Sequence, residues 1–433
     1  MPSITTAEVE HYLRQPREQC AWPLDFSSEF IAPRYDGYSL ANVPATVAAI
    51  LGYSVPGMRP LAPLYWADYA SGVTKVIVLL LDALGYMRLL QMMQTNESCI
   101  WRQLAANGLL YPMTSVCPST TTTALASLNS GVEPVSHGLV GYELWLREYG
   151  VLAEMLSLKA AYGTGRETLL DWGFVPEQFL PVPGIGERFA ELGIRTTCMI
   201  SAQYIQSALS RMIYRGFQRS VGYHDAEDMW SGLRGMIAED DATPSYYFVY
   251  WSTIDTAIHR YGSGGGYWQA ELQNVTRTMQ ERFLQALSPA ARRGVLFVMM
   301  ADHGWMDTPI EQAHDVEADW QLRRELLGPA SGEARSAYLH CLDGADSVVQ
   351  NRVQAALGPD YVVINSALAQ QAGLWGAAPP MSEIQARLGH LLVLSRGQHY
   401  LDRQGKRNRL RGRHGGLSPE EMLVPWLAMR LDS

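Results

Sequence analysis

The chain has no Cys-x-x-Cys pair, and its five cysteines (Cys20, Cys99, Cys117, Cys198 and Cys341) are widely scattered. That pattern argues against a disulfide framework and for a reducing compartment. Positive charge is not in excess either, since the formal net charge is -9. An acidic surface gains nothing from bulk electrostatics on a polyanion, so duplex nucleic acid is not an expected partner. A small anionic substrate is still admissible, because local metal ions outweigh net charge. Long apolar runs are missing: Val76–Leu81 is too short to cross a bilayer and ends in Asp82. The first residues are polar and mixed in charge, without the basic start and apolar stretch of a secretory signal. A cytoplasmic protein without membrane association is the expectation. Internal repeats and low-complexity tracts are absent. What remains is an ordinary globular composition, 47% hydrophobic and 18% charged, with length for one large α/β domain and a smaller one.

Val76–Leu81 is a continuous apolar run with β-branched residues, as a strand buried on both faces should be. A helical pattern follows over Tyr86–Gln94. Comparable strands are expected at Thr196–Ser201, Tyr246–Trp251 and Val295–Met300, with helical stretches between them. This alternation predicts an α/β fold: a central, mostly parallel sheet with helices on both faces. Residues 1–70, rich in Pro, Tyr and Trp, read as a lead-in packed on the core, with a helix around Ala41–Leu51. The catalytic core is expected at 71–303 and 411–433. Between them, residues 304–410 read as an inserted α+β cap, with a strand at Tyr361–Ile364 and a basic run over Arg403–Arg413. Gly262–Gly266 reads as a flexible loop.

Functional residues of such sheets gather at the carboxyl ends of the strands. Asp82 follows the first strand directly, Asp255 lies four residues past Trp251, and Asp302-His303 follows Val295–Met300 closely. His259 lies four residues after Asp255, so on a helix both side chains share a face. His414 stands before Gly415-Gly416, which suit a tight loop. Thr120 to Thr123 suit a turn feeding a helix start, where the dipole favours an alkoxide. Composition does not settle which threonine acts. Each segment alone also fits a bland reading: a helix cap, a strand-end turn or a surface imidazole. Ser418-Pro419-Glu420-Glu421 reads well as a capping box, but that leaves His414 unexplained. Taken together, Asp82, Thr121, Asp255, His259, Asp302, His303 and His414 make the ligand list of a two-metal hydrolase with a hydroxyl nucleophile. Oxygen and nitrogen ligands of this mix suit Zn²⁺, with Mn²⁺ as the alternative.

The order of these motifs resembles the alkaline phosphatase superfamily, and within it the nucleotide pyrophosphatase/phosphodiesterase branch, over roughly Val76 to Pro425. The branch's Pro-x-x-Thr, a glycine ten residues on and a Ser-His-Gly are matched by Pro118, Thr121, Gly131 and Ser136-His137-Gly138. Its Asp-x-x-x-His with Tyr-Gly is matched by Asp255, His259, Tyr261 and Gly262, its Asp-His-Gly by Asp302-His303-Gly304, and its last His-Gly by His414-Gly415. The resemblance implies Thr121 as nucleophile. It implies one ion on Asp255, His259 and His414, and another on Asp82, Asp302, His303 and the Thr121 oxygen. The segment from His414 to Met422 is also similar to PglZ-type and phosphoglycerate-mutase-like members. There are departures. The branch's phosphate-binding Asn is missing from Leu139–Glu143, which leaves the metals, backbone N–H groups or Tyr142 to stabilise the oxyanion. Thr122 stands where monoesterases carry Arg, and no sulfatase pattern follows Cys117.

The implied activity is hydrolysis of a phosphodiester or pyrophosphate bond in a nucleotide-like molecule, through a covalent phosphothreonine. Tyr142 and Trp145 could stack on a base or sugar, though both also fit packing roles. Two other readings stand beside it: a phosphomonoesterase or phosphomutase-like enzyme, and a catalytically silent metal-binding interaction module. Oligomeric state is open.

Overall fold

In the computed structural model, which describes residues 4–15, 29–95, 99–239, 243–316, 318–344, 346–402 and 409–432, the first apolar run forms the strand Lys75–Leu81, buried throughout. Cys20 and residues 403–408 of the basic run lie outside the described residues. Burying each large aliphatic side chain of this strand contributes roughly 1.5–3 kcal/mol, so the run has no stable place except between two covered faces. It lies at the middle of a seven-stranded sheet with the order Leu109–Thr114, Leu423–Arg430, Val295–Met300, Lys75–Leu81, Ser245–Trp251, Arg195–Ser201, Arg219–Tyr223. Only Leu423–Arg430 runs antiparallel to its neighbours. The expected mostly parallel α/β sheet is therefore present. Its register sets Leu81 opposite Trp251 and Leu80 opposite Met300, so three strands end at one level.

A second seven-stranded sheet, antiparallel throughout, departs from the expected boundaries. Four of its strands (Ser331–Gly332, Ser336–Leu339, Tyr361–Asn365 and Leu391–Ser395) fall in the predicted cap of 304–410. The other three (Glu143–Leu146, Val151–Glu154 and Lys159–Ala160) come from the segment assigned to the core. Gly332 pairs with Glu143, joining the two halves. Strands of two to four residues carry too little alternation to register as strands in sequence. A separate small core of Val316, Leu322, Val349, Val353, Leu391 and Val393 underlies the cap side.

The lead-in packs on the central sheet where it is described. Helix Thr6–Arg14 lies against Leu109–Thr114, and the Ile31 N–H donates to the Leu417 carbonyl at 2.7 Å. The helix expected around Ala41–Leu51 runs over Val43–Ile50. At Gly264–Gly266 the expected loop is a short 3₁₀ turn. Among the described residues no helix is long and apolar enough to cross a membrane, and Cys99, Cys117, Cys198 and Cys341 are free and buried.

A buried ion pair links the turn before Ser336–Leu339 of the second sheet to the short helix Pro419–Met422 that leads into Leu423–Arg430 of the first. Arg335 Nε and Nη2 donate to Glu421 Oε1 and Oε2 at 2.7 and 3.0 Å, with both side chains fully buried. Arg335→Leu strands a buried carboxylate, which costs about 3–5 kcal/mol. Urea denaturation should show that loss, and Arg335→Leu/Glu421→Gln, which removes the charge, should regain part of it.

Candidate active site

The three strand ends converge. Asp82 leaves Lys75–Leu81 with its amide donating to the Trp251 carbonyl at 3.0 Å, and its Oδ2 accepts the Tyr250 hydroxyl. Ala83 then takes a left-handed backbone (φ 64°), a conformation that costs a non-glycine residue about 1–2 kcal/mol. Its amide, like that of His303, donates to Asp302 Oδ1 at 3.1 Å. His303 Nδ1 lies 3.0 Å from the Gly304 carbonyl, which can only accept, so Nδ1 carries the proton and Nε2 presents a lone pair. That Nε2 is 3.1 Å from Thr121 Oγ1, 3.4 Å from Asp82 Oδ1 and 3.5 Å from Asp302 Oδ2. Gly304 serves close approach rather than an unusual backbone angle: a Cβ there would meet the Glu420 carbonyl at 1.9 Å.

Thr121 opens the helix Thr121–Ser130, capped at its far end by left-handed Gly131. A residue at the first helical position stands at the positive end of the dipole, with its amide outside the helical ladder.

The second group sits on the helix Thr253–Tyr261, where Asp255 and His259 share a face as expected. His259 Nδ1 lies 2.8 Å from the Gly412 carbonyl, leaving Nε2 toward Asp255 Oδ2 at 3.3 Å and His414 Nε2 at 3.3 Å. A two-residue antiparallel pairing of Met306–Asp307 with Gly412–Arg413 delivers His414. Its ring stacks on His303 at 3.9 Å, so the two groups adjoin.

Burial, with Asp302 and then Asp255 nearby, pushes the Asp82 carboxyl well above its usual range. Burial also raises Asp302, against the pull of His303. Burial and the His303 and His259 rings hold His414 well below the usual imidazole range, hence neutral and able to act as a ligand. Asp82 Oδ1, Asp302 Oδ2 and Asp255 Oδ1 are buried without a hydrogen-bond partner in the protein. Oxygens left this way beside imidazole lone pairs fit divalent cations, since a buried anionic oxygen otherwise carries its full desolvation cost. Asp82, Asp302 and His303 form one such cluster, and Asp255 clusters with His303 and His414.

Two cavities flank Thr121 and Asp255. The deeper, of about 170 Å³, is walled by Leu125, Ile200, Leu209, Ile213 and Tyr214 and reaches Asp82 and Arg166. The more open one, of about 580 Å³, is bordered by Tyr142, His259, Arg260, Arg409 and His414. Tyr142 thus lines the site, but its hydroxyl donates to Glu154 at 3.3 Å and its amide to Glu333 at 2.8 Å. Trp145 lines neither cavity; its ring lies 6.2 Å from that of His340 on the second sheet. Sequence reasoning did not single out Tyr250, Glu333 or Arg166. Tyr250 carried one signal, its place beside the end of a strand that leads to Asp255.

His137 is not a ligand. Its Nδ1 accepts the Leu139 N–H at 3.1 Å, so its Nε2–H donates to Ser127 Oγ at 2.9 Å on the Thr121 helix.

A central, mostly parallel sheet flanked by helices, with acids at its strand ends, is the alkaline-phosphatase-like fold. The chain belongs to the type I phosphodiesterase/nucleotide pyrophosphatase family, whose sequence model matches residues 76–417. No curated protein matches the chain in sequence. Among solved structures it is similar to murine ectonucleotide pyrophosphatase/phosphodiesterase 5, with a TM-score of 0.62 and 13% identity over 82% of this chain and 88% of that one. An inactive variant of that murine protein is in complex with AMP, with the same figures. Phosphonoacetate hydrolase from Sinorhizobium meliloti 1021, in complex with phosphonoformate, is similar at a TM-score of 0.60 and 18% identity, covering 82% of this chain and 89% of the other.

Burial, then Arg387, lowers the His137 imidazole to about 3. The unfolded chain therefore takes up a proton before the folded one, and stability present above about pH 6.5 is lost as pH falls toward 3. His137→Gln should flatten the fall in melting temperature between pH 7 and pH 4, measured at constant ionic strength.

Proposed function

We propose that this protein is a divalent-metal-dependent hydrolase of phosphodiester or pyrophosphate bonds in nucleotide-like substrates, with Thr121 as nucleophile. The observation that carries this reading is the 3.1 Å approach of Thr121 Oγ1 to His303 Nε2, beside the unpartnered oxygens of Asp82 and Asp302. One ion would be held by Asp82, Asp302, His303 and Thr121, the other by Asp255, His259 and His414. Zinc is the expected metal, because three imidazoles balance three carboxylates. Bound ions supply positive charge that favours an ionised hydroxyl and offsets charge gathering on the phosphoryl oxygens.

The chain's own groups do the rest. The helix start fixes Thr121 for in-line approach. Its Oγ1 forms a bond to phosphorus while the bond to the leaving oxygen breaks, and water then hydrolyses the phosphothreonine. The apolar wall of the deeper cavity suits a planar base, and the murine neighbour's complex with AMP supports a nucleotide ligand. Arg260 and Arg409 border the open cavity, where they suit further phosphate oxygens.

Metal content should be measured on purified protein, followed by turnover of bis-nitrophenyl phosphate, nitrophenyl phosphate, a dinucleotide pyrophosphate and phosphonoacetate. The expected order places the diester and pyrophosphate first. Faster monoester turnover would move the reading to a phosphomonoesterase, and metal binding without turnover on any of them to a silent module. Thr121→Ala should lower turnover roughly a thousandfold or more while binding of the Asp255, His259 and His414 ion is retained. Near-normal turnover in that variant removes Thr121 from the mechanism.

A further inference from the structure

Tyr250 is the next-to-last residue of Ser245–Trp251 and is 9% exposed. Its hydroxyl donates to Asp82 Oδ2. The Asp82 amide donates to the carbonyl of the next residue, Trp251, at 3.0 Å. The Tyr250 carbonyl in turn accepts the Tyr223 hydroxyl at 2.6 Å. Asp82 is therefore fastened at both its amide and its carboxylate to one strand, and that strand is fastened to another beyond it. The same strand leads into the helix that carries Asp255 and His259.

The consequence is geometric. An aspartate free to turn about its side-chain bonds offers a cation one oxygen or both. With Oδ2 engaged by Tyr250, Asp82 presents Oδ1, which accepts no hydrogen bond and lies 3.4 Å from His303 Nε2. We propose that Tyr250 is a positioning residue for the metal site: it holds Asp82 to one-oxygen coordination and so sets the affinity of the ion on Asp82, Asp302 and His303 apart from that of its neighbour. This rests on the metal-dependent reading above. The bland alternative is that Asp82 merely satisfies a buried phenol, in which case the bond serves the fold and not the ion.

Calorimetric titration of the metal-stripped protein with Zn²⁺ separates the two. Wild type should bind two ions. Tyr250→Phe, which is nearly isosteric, should weaken one of them about 10- to 100-fold and leave the other unchanged. Tyr223→Phe, which removes a hydrogen bond to the same residue of that strand without touching Asp82, should leave both unchanged. Cobalt substitution gives a second readout. Tyr250→Phe frees Oδ2 to chelate, and the higher coordination number should weaken the visible absorption of one cobalt ion only. Equal affinities and spectra for Tyr250→Phe and wild type overturn the proposal, as does equal weakening by Tyr223→Phe. Absence of ion binding by wild type overturns the metal-dependent reading itself, and the role of Tyr250 with it.

Discussion

The buried pair of Arg335 with Glu421 is the fastening on which the site depends. Glu421 also accepts the Gly416 N–H at 2.9 Å and the Ser418 hydroxyl at 2.7 Å, and its carbonyl accepts the Gly304 N–H at 2.8 Å. The turn after His303 and the loop after His414 therefore hang from one residue. Neighbouring groups tighten the same loop: Ser336 Oγ donates to the Gly415 carbonyl and Ser119 Oγ to the Gly416 carbonyl, each at 2.7 Å. Ser336 opens a strand of the second sheet, Arg335 sits in the turn just before it, and Ser119 lies on the approach to Thr121. A buried ion pair adds little net stability over an apolar one, but it tolerates few geometries. Its role here is to set where two imidazoles stand relative to a hydroxyl.

The electrostatics of the site follow from the same enclosure. Removing water raises the carboxyls of Asp82 and Asp302 and lowers the imidazole of His414, so both kinds of group move toward neutrality. For the imidazole that is the state a ligand requires. For the paired carboxylates it reflects a repulsion between like charges that nearby positive charge would relieve. Backbone amides of Ala83 and His303 offset part of it at Asp302 Oδ1, and Tyr250 part of it at Asp82 Oδ2. Asp82 Oδ1 and Asp302 Oδ2 receive no such hydrogen bond from the protein.

Much of this was legible in the sequence because buried parallel strands write themselves as unbroken apolar runs. Lys75–Leu81 and Val295–Met300 end where their runs give way to acids, and all seven singled-out residues stand in one region of the structure. The Ser418–Glu421 capping box was readable from local spacing and is present. That Glu421 also grips Arg335, 86 residues away, was not, because such a pair leaves no mark on local periodicity. The same holds for Tyr250 on Asp82 and for Glu333 on Tyr142. The strands at 143–160 were missed because they are short and take their partners from 331–332 and from one another. Trp145 was open to a stacking or a packing role, and strand alternation turns its ring toward His340.

The position of Leu423–Arg430 has a consequence for how the molecule is made. It is the latest strand of the central sheet in chain order, yet it sits inside it, between Leu109–Thr114 and Val295–Met300. Until that strand is in place, Leu109–Thr114 and Val295–Met300 face an empty slot, with two strand edges unpaired. The Pro419–Met422 helix that carries Glu421 runs straight into this strand, so the strand's pairing fixes where Glu421 meets Arg335. Docking of the His414 loop is thereby tied to that strand, and the candidate site closes only once Leu423–Arg430 has entered the sheet.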